Sequence, residues 1–333
     1  MPYLSTTSCS FSLSKYNAKR DVSIFPLNNK FSYTDERGNT CVFDNFIEVI
    51  KDFFTLHEVA KKDDINKKTF SCLSPDGANF VAGETSEYNY IVIIVASGEY
   101  GMVSEITDVD TGKIVHKRKS NQADIKQFYL MIAIPKDTSK VKTQKGLFIF
   151  QNIGQFGVKT TTTDYIKEYL KERFNISIHT GNIAPKLYID KLAKYARLDK
   201  LRCINNRVSI DSADNLERGG VYGREERVYS KWFNSEEIWS KVKNFIKDPS
   251  HGKNSLFEFD NIAFDGVKVV VNQNGRPRTI DLHNIENLSI IEPLSEEVQL
   301  KDGTMITEKL ISEMHELAKY YTENLVAQIT SEV

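Results

Sequence analysis

The stretch from Lys145 to Arg207 constrains the fold more than any other part of the chain. It opens on an apolar run, Gly146-Leu147-Phe148-Ile149-Phe150, and turns through Asn152-Ile153-Gly154. It returns through Phe156-Gly157-Val158-Lys159-Thr160, which reads as the second strand of a hairpin. A threonine run then leads into the amphipathic segment Tyr165 to Leu170. Pro185 to Ala196 reads as a second helix, since proline suits a first turn and Leu187, Tyr188, Leu192 and Tyr195 share a face. Leu198 to Val208 follows as a basic strand. Strands and helices that alternate this closely predict an α+β protein.

The remaining segments extend the same picture. Residues 1–35 are polar and β-leaning. Phe43 to Val59 repeats apolar residues at spacings of three and four, which predicts a helix, and Lys61 to Lys68 reads as a charged loop. Phe70 to Cys72 and Ala78 to Ala82 read as short strands. Tyr90 to Ser97 is a continuous β-branched run, the pattern of a strand buried on both faces. Ser97-Gly98-Glu99 and Asp110-Thr111-Gly112 read as turns that make hairpins of Met102 to Val109 and Lys113 to His116. Asp124 to Phe128 reads as a helical entry to a strand that Pro135 ends.

Residues 136–145 read as an exposed loop and 209–231 as irregular. Glu236 to Ile246 predicts a helix, and Ser255 to Phe259 and Ser289 to Ile291 predict strands. Val267 to Val271 and Arg278 to Leu282 form a hairpin pattern about Asn274-Gly275. A long helix over 306–329 carries one apolar stripe from Ile306 to Ile329, free to pack on its own domain or on a symmetry mate. The expectation is two mixed domains with antiparallel sheets and a long C-terminal helix. The first is a β-rich domain over 1–140. The second is an α+β domain over 141–333, with a basic segment at 186–231.

Composition narrows the function classes. The 333 residues carry a formal net charge of −1, so any nucleic-acid surface has to be a local basic patch. Cys9, Cys41, Cys72 and Cys203 are scattered, without metal-ligand spacing, which predicts free thiols in a reducing cytoplasm. No charged leader with an apolar core stands at Met1, and the longest apolar run is too short to span a bilayer.

Chemical motifs are sparse, and no cofactor motif is present. Gly154-Gln155-Phe156-Gly157-Val158-Lys159-Thr160 resembles part of a phosphate loop, but its glycines are two residues apart and Val158 separates Gly157 from Lys159. A hairpin explains it more simply. Glu258, Asp260, Asp265 and Lys268 are the nearest approach to a metal-dependent nuclease site, with one residue too many before the lysine. None of the six histidines pairs with another at helical spacing, and no nucleophile elbow occurs.

Two clusters are basic. One holds Lys113, His116, Lys117, Arg118 and Lys119. The other, Lys186 to Lys231, carries eleven cations against seven acids and is interleaved with Tyr222, Tyr229 and Trp232. Its candidate phosphate contacts are Lys200, Arg202, Arg207, Arg218, Arg224, Arg227 and Lys231. Cations along such a surface displace counterions and bind duplex DNA without sequence preference. The competing expectation is a solvated surface that pairs with its own acids. The terminal helix is acid-rich, with Glu308, Glu313, Glu316 and Glu323, and its polar face should avoid DNA.

The order of elements is similar to a known family. Gly146 to Gln151, Gly154, Gly157 to Thr160 and Asp164 to Ile166 resemble the central part of the phage lambda exclusion protein RexA-like abortive-infection family. Val269 to Val271, Thr279 to Leu282 and Leu310 to Ala318 resemble its ending. The likeness covers about the last 190 residues of the chain. It implies a dimeric, cytoplasmic, non-enzymatic protein that binds double-stranded DNA with little sequence preference. Such a protein senses phage nucleoprotein and signals to a separate effector, in that family a membrane protein. It implies no residue-by-residue contacts, so the seven cations above rest on charge and loop context alone. The alternatives are a metal-dependent nuclease or other defence effector enzyme, and a protein–protein adaptor whose basic surface meets an acidic partner.

Overall fold

Two twelve-residue strands, Tyr88–Glu99 and Asp124–Pro135, pair antiparallel along their whole length and bury most of both faces. A sheet so apolar needs a cover on each side. The computed structural model of the protein describes residues 3–16, 25–73, 81–139, 142–183, 185–205, 225–230, 235–248, 255–273, 276–283, 290–299 and 304–331. Within these the chain forms two units, 1–181 with 291–333, and 182–290. It is an α+β protein with antiparallel sheets and a C-terminal helix.

The first unit runs β1 (Leu4–Lys15), β2 (Phe31–Thr34), β3 (Thr40–Phe43), α1 (Phe46–Leu56), β4 (Lys61–Asp63), β5 (Lys68–Leu73), β6 (Val81–Glu84) and β7 (Tyr88–Glu99). It continues with β8 (Ser104–Thr107), β9 (Ile114–Arg118), β10 (Asp124–Pro135), β11 (Lys145–Ile153), β12 (Phe156–Gly157), α2 (Lys159–Phe174) and β13 (Ile176–Gly181). The second unit holds α3 (Pro185–Tyr195), β14 (Arg197–Asn205), β15 (Glu225–Ser230), α4 (Ser235–Lys247), β16 (Phe257–Phe259), β17 (Ile262–Phe264), β18 (Gly266–Gln273) and β19 (Arg276–Asp281). The chain then returns to the first unit as β20 (Ile290–Pro293) and α5 (Thr307–Ser331).

The main sheet has the order β13-β1-β11-β10-β7-β5-β4, with β12, β20 and β6 paired at its sides. One face carries Phe11, Ile91, Ile93, Val95, Leu130, Ile132, Phe148 and Phe150, and α1 and α2 close over it with Phe46, Ile50, Phe53, Ile166 and Leu170. Phe148 is fully buried and stacks on Phe11 at 4.3 Å. Gly146 lies against the same ring, where a Cβ would come within 2.3 Å of Phe11. The cover is cut to length by its ends. Asn45 caps α1 by accepting from the Glu48 amide at 3.1 Å. Asn175, at φ 54°, closes α2 in the left-handed conformation that asparagine tolerates.

The other face is covered by α5, which packs on β10, β11 and β7. Leu310, Met314, Ala318 and Tyr321 are fully buried there, so this part of the apolar stripe is spent on its own sheet. Much of this contact is polar. Tyr88 Oη bonds His315 Nδ1 at 2.9 Å, Tyr129 bonds Thr307 at 2.7 Å, and Tyr321 donates to the buried Glu292. On the same face β1, next to the edge strand β13, adds small hydroxyl side chains, of which Thr6 Oγ1 and Ser8 Oγ are buried without a partner among the described residues. Burial lowers the pKa of His315, so its neutral form is the one that packs.

Several expectations are corrected. The loop at 136–145 joins β10 to its neighbour β11, and so does not separate domains at 140. Asp124 to Phe128 is strand, because it continues the ladder opposite Val95 to Glu99. Gly98 therefore sits inside β7, where a Cβ would meet the Asp124 carbonyl at 2.1 Å; it permits close strand approach rather than a turn. Lys61 to Lys68 contains the short edge strand β4 and the start of β5. Gly154, at φ 61°, makes the β11–β12 turn as expected, but α2 begins at Lys159 and shortens the return strand to Phe156–Gly157. Glu225 to Ser230 is a strand. The described cysteines are free thiols, and no helix among the described residues is long and apolar enough to cross a membrane.

Three outcomes check this architecture in urea unfolding. Phe148→Ala should cost about 3–5 kcal/mol, the usual loss for a buried ring. Thr6→Val, which keeps the shape and removes an unpaired buried hydroxyl, should raise stability by about 1 kcal/mol. A histidine with a depressed folded pKa adds stability that is present above its unfolded pKa, near 6.5, and lost as pH falls through its folded value. Stability should therefore fall on acidification below about pH 6.5, and His315→Gln should flatten part of that dependence.

Candidate nucleic-acid interface

In the second unit β14 lies between β15 and β18, and β19 pairs with β18 on the far side. Register decides which side chains share a face, because directly opposed residues in an antiparallel pair point the same way. Leu201, Cys203, Val267, Val269, Val271 and Ile280 fill the covered face and are fully buried. Tyr188 of α3 accepts there from Arg278, whose guanidinium also lies 5.0 Å from the tyrosine ring centre. The opposite face is open in part among the described residues: Arg197, Lys200, Val228 and Thr279 are exposed and Arg202 and Lys268 half-buried, while Ile204 and Val270 are buried. Its centre is the row Arg202 and Lys268, with Lys200 and Val270 in the next row and Arg197 and Asn272 beyond a β-bulge.

Four cations thus stand on one open sheet face, and three of them have an acid beside them. Arg202 bonds Glu226, Lys268 pairs with Asp281 at 3.5 Å, and Arg197 pairs with Asp199 at 3.0 Å. Glu226 also raises the Arg202 pKa, through a hydrogen bond first and charge second. Lys200 is exposed and makes no ion pair with a described residue. All these side chains are at least partly solvated, where ion pairs contribute at most about 1 kcal/mol and phosphate competes for the same donors.

The predicted contacts divide accordingly. Lys200 and Arg202 lie together on the open face. Arg227 stands opposite Cys203, which assigns it to the other face, and it pairs with Glu225 at 2.8 Å. Arg207, Arg218, Arg224 and Lys231 lie outside the described residues. Arg197 and Lys268 join the open face without having been expected there. Alternation through Val267-Lys268-Val269 was the available signal for Lys268, whereas the bulge between Leu198 and Lys200 hid the phase of Arg197.

The nuclease candidates do not converge. Glu258 is in β16, Asp260 in its turn, and Lys268 is engaged by Asp281. Among the described residues no group of three or more metal-ligating side chains comes together.

The first unit has a separate cleft of about 1020 Å³ between the end of α1, the β4–β5 hairpin and α2. His57 lines it. Its Nδ1 donates to the Phe53 carbonyl at 2.7 Å, and burial lowers its pKa, which leaves a neutral ring with Nε2 as an acceptor. Tyr165 stacks on Phe70 at 4.4 Å beside it. Five carboxylates and four cationic side chains line this cleft, so its charge does not favour a polyanion. The open sheet face of the second unit is the better nucleic-acid candidate. In comparisons with known proteins, no family model matches the chain and no curated protein matches it.

Proposed function

We propose that this chain is a non-catalytic, sequence-independent double-stranded DNA-binding protein of antiphage defence, working as a dimer that senses phage DNA or nucleoprotein and signals to a separate effector. The reading joins the resemblance to the exclusion-protein family with one structural observation. That observation is the open sheet face carrying Arg197, Lys200, Arg202 and Lys268 in neighbouring register. A flat row of cations follows a phosphate backbone without reaching base edges, which gives affinity without sequence discrimination. The acids beside these cations keep the free protein near neutrality and give way to phosphate on binding. Binding should therefore be strongest at low salt.

A gel shift across a salt series tests the reading, with two unrelated duplexes. Both should bind alike, and affinity should fall linearly on a log–log plot against salt. Lys200→Ala and Lys268→Ala should each lower that slope by about 1, equally for both sequences. Arg227→Ala, on the other face, should leave it unchanged. Absence of binding at low salt, or a preference for one duplex, contradicts the proposal. Plasmid cleavage in a parallel Mg²⁺ or Mn²⁺ incubation would favour the nuclease alternative.

A further inference from the structure

We propose that the cleft between α1, the β4–β5 hairpin and α2 binds a linear polyamine, whose ammonium groups lie on the carboxylates of α2 and on His57. Asp164, Glu168 and Glu172 line the cleft from α2. They are four residues apart, so they share one face of the helix and follow its axis in steps of about 6 Å. All three are exposed, and their carboxylates make no ion pair or hydrogen bond with a described residue. Among the described residues no group of three or more metal-ligating side chains forms, so these acids do not converge on a single ion. Their spacing instead matches amines joined by propyl or butyl spacers.

A second observation selects the same kind of ligand. His57, at the C-terminal end of α1, is only 3% exposed yet lines this cleft. Its Nδ1 donates to the Phe53 carbonyl at 2.7 Å, which leaves Nε2 as an acceptor on the cleft without a partner among the described residues. A neutral imidazole acceptor takes an N–H from an ammonium group and offers nothing to an anion. Beside it Tyr165 stacks on Phe70 at 4.4 Å and stands edge-on to His57 at 5.6 Å. Burial first, and then the charges of Asp63 and Glu168, raise the Tyr165 phenol pKa, so carboxylates of the hairpin and of α2 both act at this ring. An aromatic ring among carboxylates suits a chain in which methylenes alternate with cations. Four cations also line the cleft. Arg173 is paired with Asp52 at 4.0 Å and Lys68 with Glu99 at 3.9 Å. Lys61 and Lys62 of β4 make no ion pair with a described residue, and they are the charges that oppose a cationic ligand.

The cleft lies within the first unit, so binding there is independent of the open sheet face of the second. Isothermal titration of the full chain with spermidine, in the absence of nucleic acid, should show one saturable site. Putrescine, with one amine fewer, should bind more weakly by about fivefold, and Glu168→Gln should weaken spermidine binding by a similar factor. Lys61→Gln, which removes an opposing charge, should strengthen it. His57→Phe keeps a ring among Phe53, Phe70 and Tyr165 and removes the acceptor, so it should weaken binding while circular dichroism shows an unchanged fold. If that variant does not fold, the substitutions at the exposed Glu168 and Lys61 decide. Absence of saturable spermidine binding overturns the proposal. So does binding that Glu168→Gln leaves unchanged, or that an equal concentration of Mg²⁺ abolishes, since either would mark general screening of an acidic surface. Binding of a lysine-rich peptide without binding of spermidine also overturns it, and would assign the cleft to a basic protein segment.

Discussion

A sheet buried on both faces sets the terms for the rest of this molecule. β7 and β10 place apolar side chains alternately toward α1 and α2 and toward α5, and neither face is left to water. Burying a side chain the size of Phe148 or Leu130 stabilises the fold by about 1.5–3 kcal/mol, which is lost if either cover is absent. The first cover follows locally, from segments between and beside the strands. The second comes from the far end of the chain. The chain leaves after β13, builds the second unit and returns as β20 beside β1 before α5 closes the sheet. The second unit is therefore an insertion into the first.

The two faces are covered by different chemistry. The α1–α2 side is aromatic and aliphatic, with Phe46 and Phe148 against Phe11 and with Phe53 in the same cluster. The α5 side mixes apolar packing with tyrosine, histidine and buried carboxylate, and two hydroxyls of β1 find no partner among the described residues. Each unpaired buried hydroxyl costs roughly 1–3 kcal/mol. In the second unit the same division into a covered and an open face has another consequence. Apolar packing fills one side, and the other is free to carry Lys200, Arg202 and Lys268 in register.

Much of this order was legible where side-chain periodicity and burial agree. The two-faced strand at Tyr90 to Ser97, the helix beginning near Phe46, the pairing of β18 with β19 and the terminal helix all follow from pattern, while Asn274 and Gly275 lie outside the described residues. Failures occur where distant pairing overrides local spacing. Ile125 and Phe128 are three apart, as on a helix, yet the segment is held extended by β7. Gly98 has the composition of a turn, but its role is to let Asp124 approach. The domain edge at 140 failed because a polar loop looks the same between strands as between domains. The candidate site was legible in part. The local excess of cations in 186–231 found Lys200 and Arg202, but counting cations cannot assign them to a face. Strand parity separates Arg227 from them and brings in Lys268.

The central functional claim is that duplex DNA lies on the open sheet face of the second unit. Photo-crosslinking of the full chain to a duplex of arbitrary sequence, followed by mass spectrometry of the cross-linked peptides, measures this directly. The account predicts cross-links in peptides spanning 197–205 and 266–272, reduced by added salt. Cross-links confined to the first unit, or none at low salt, would contradict it.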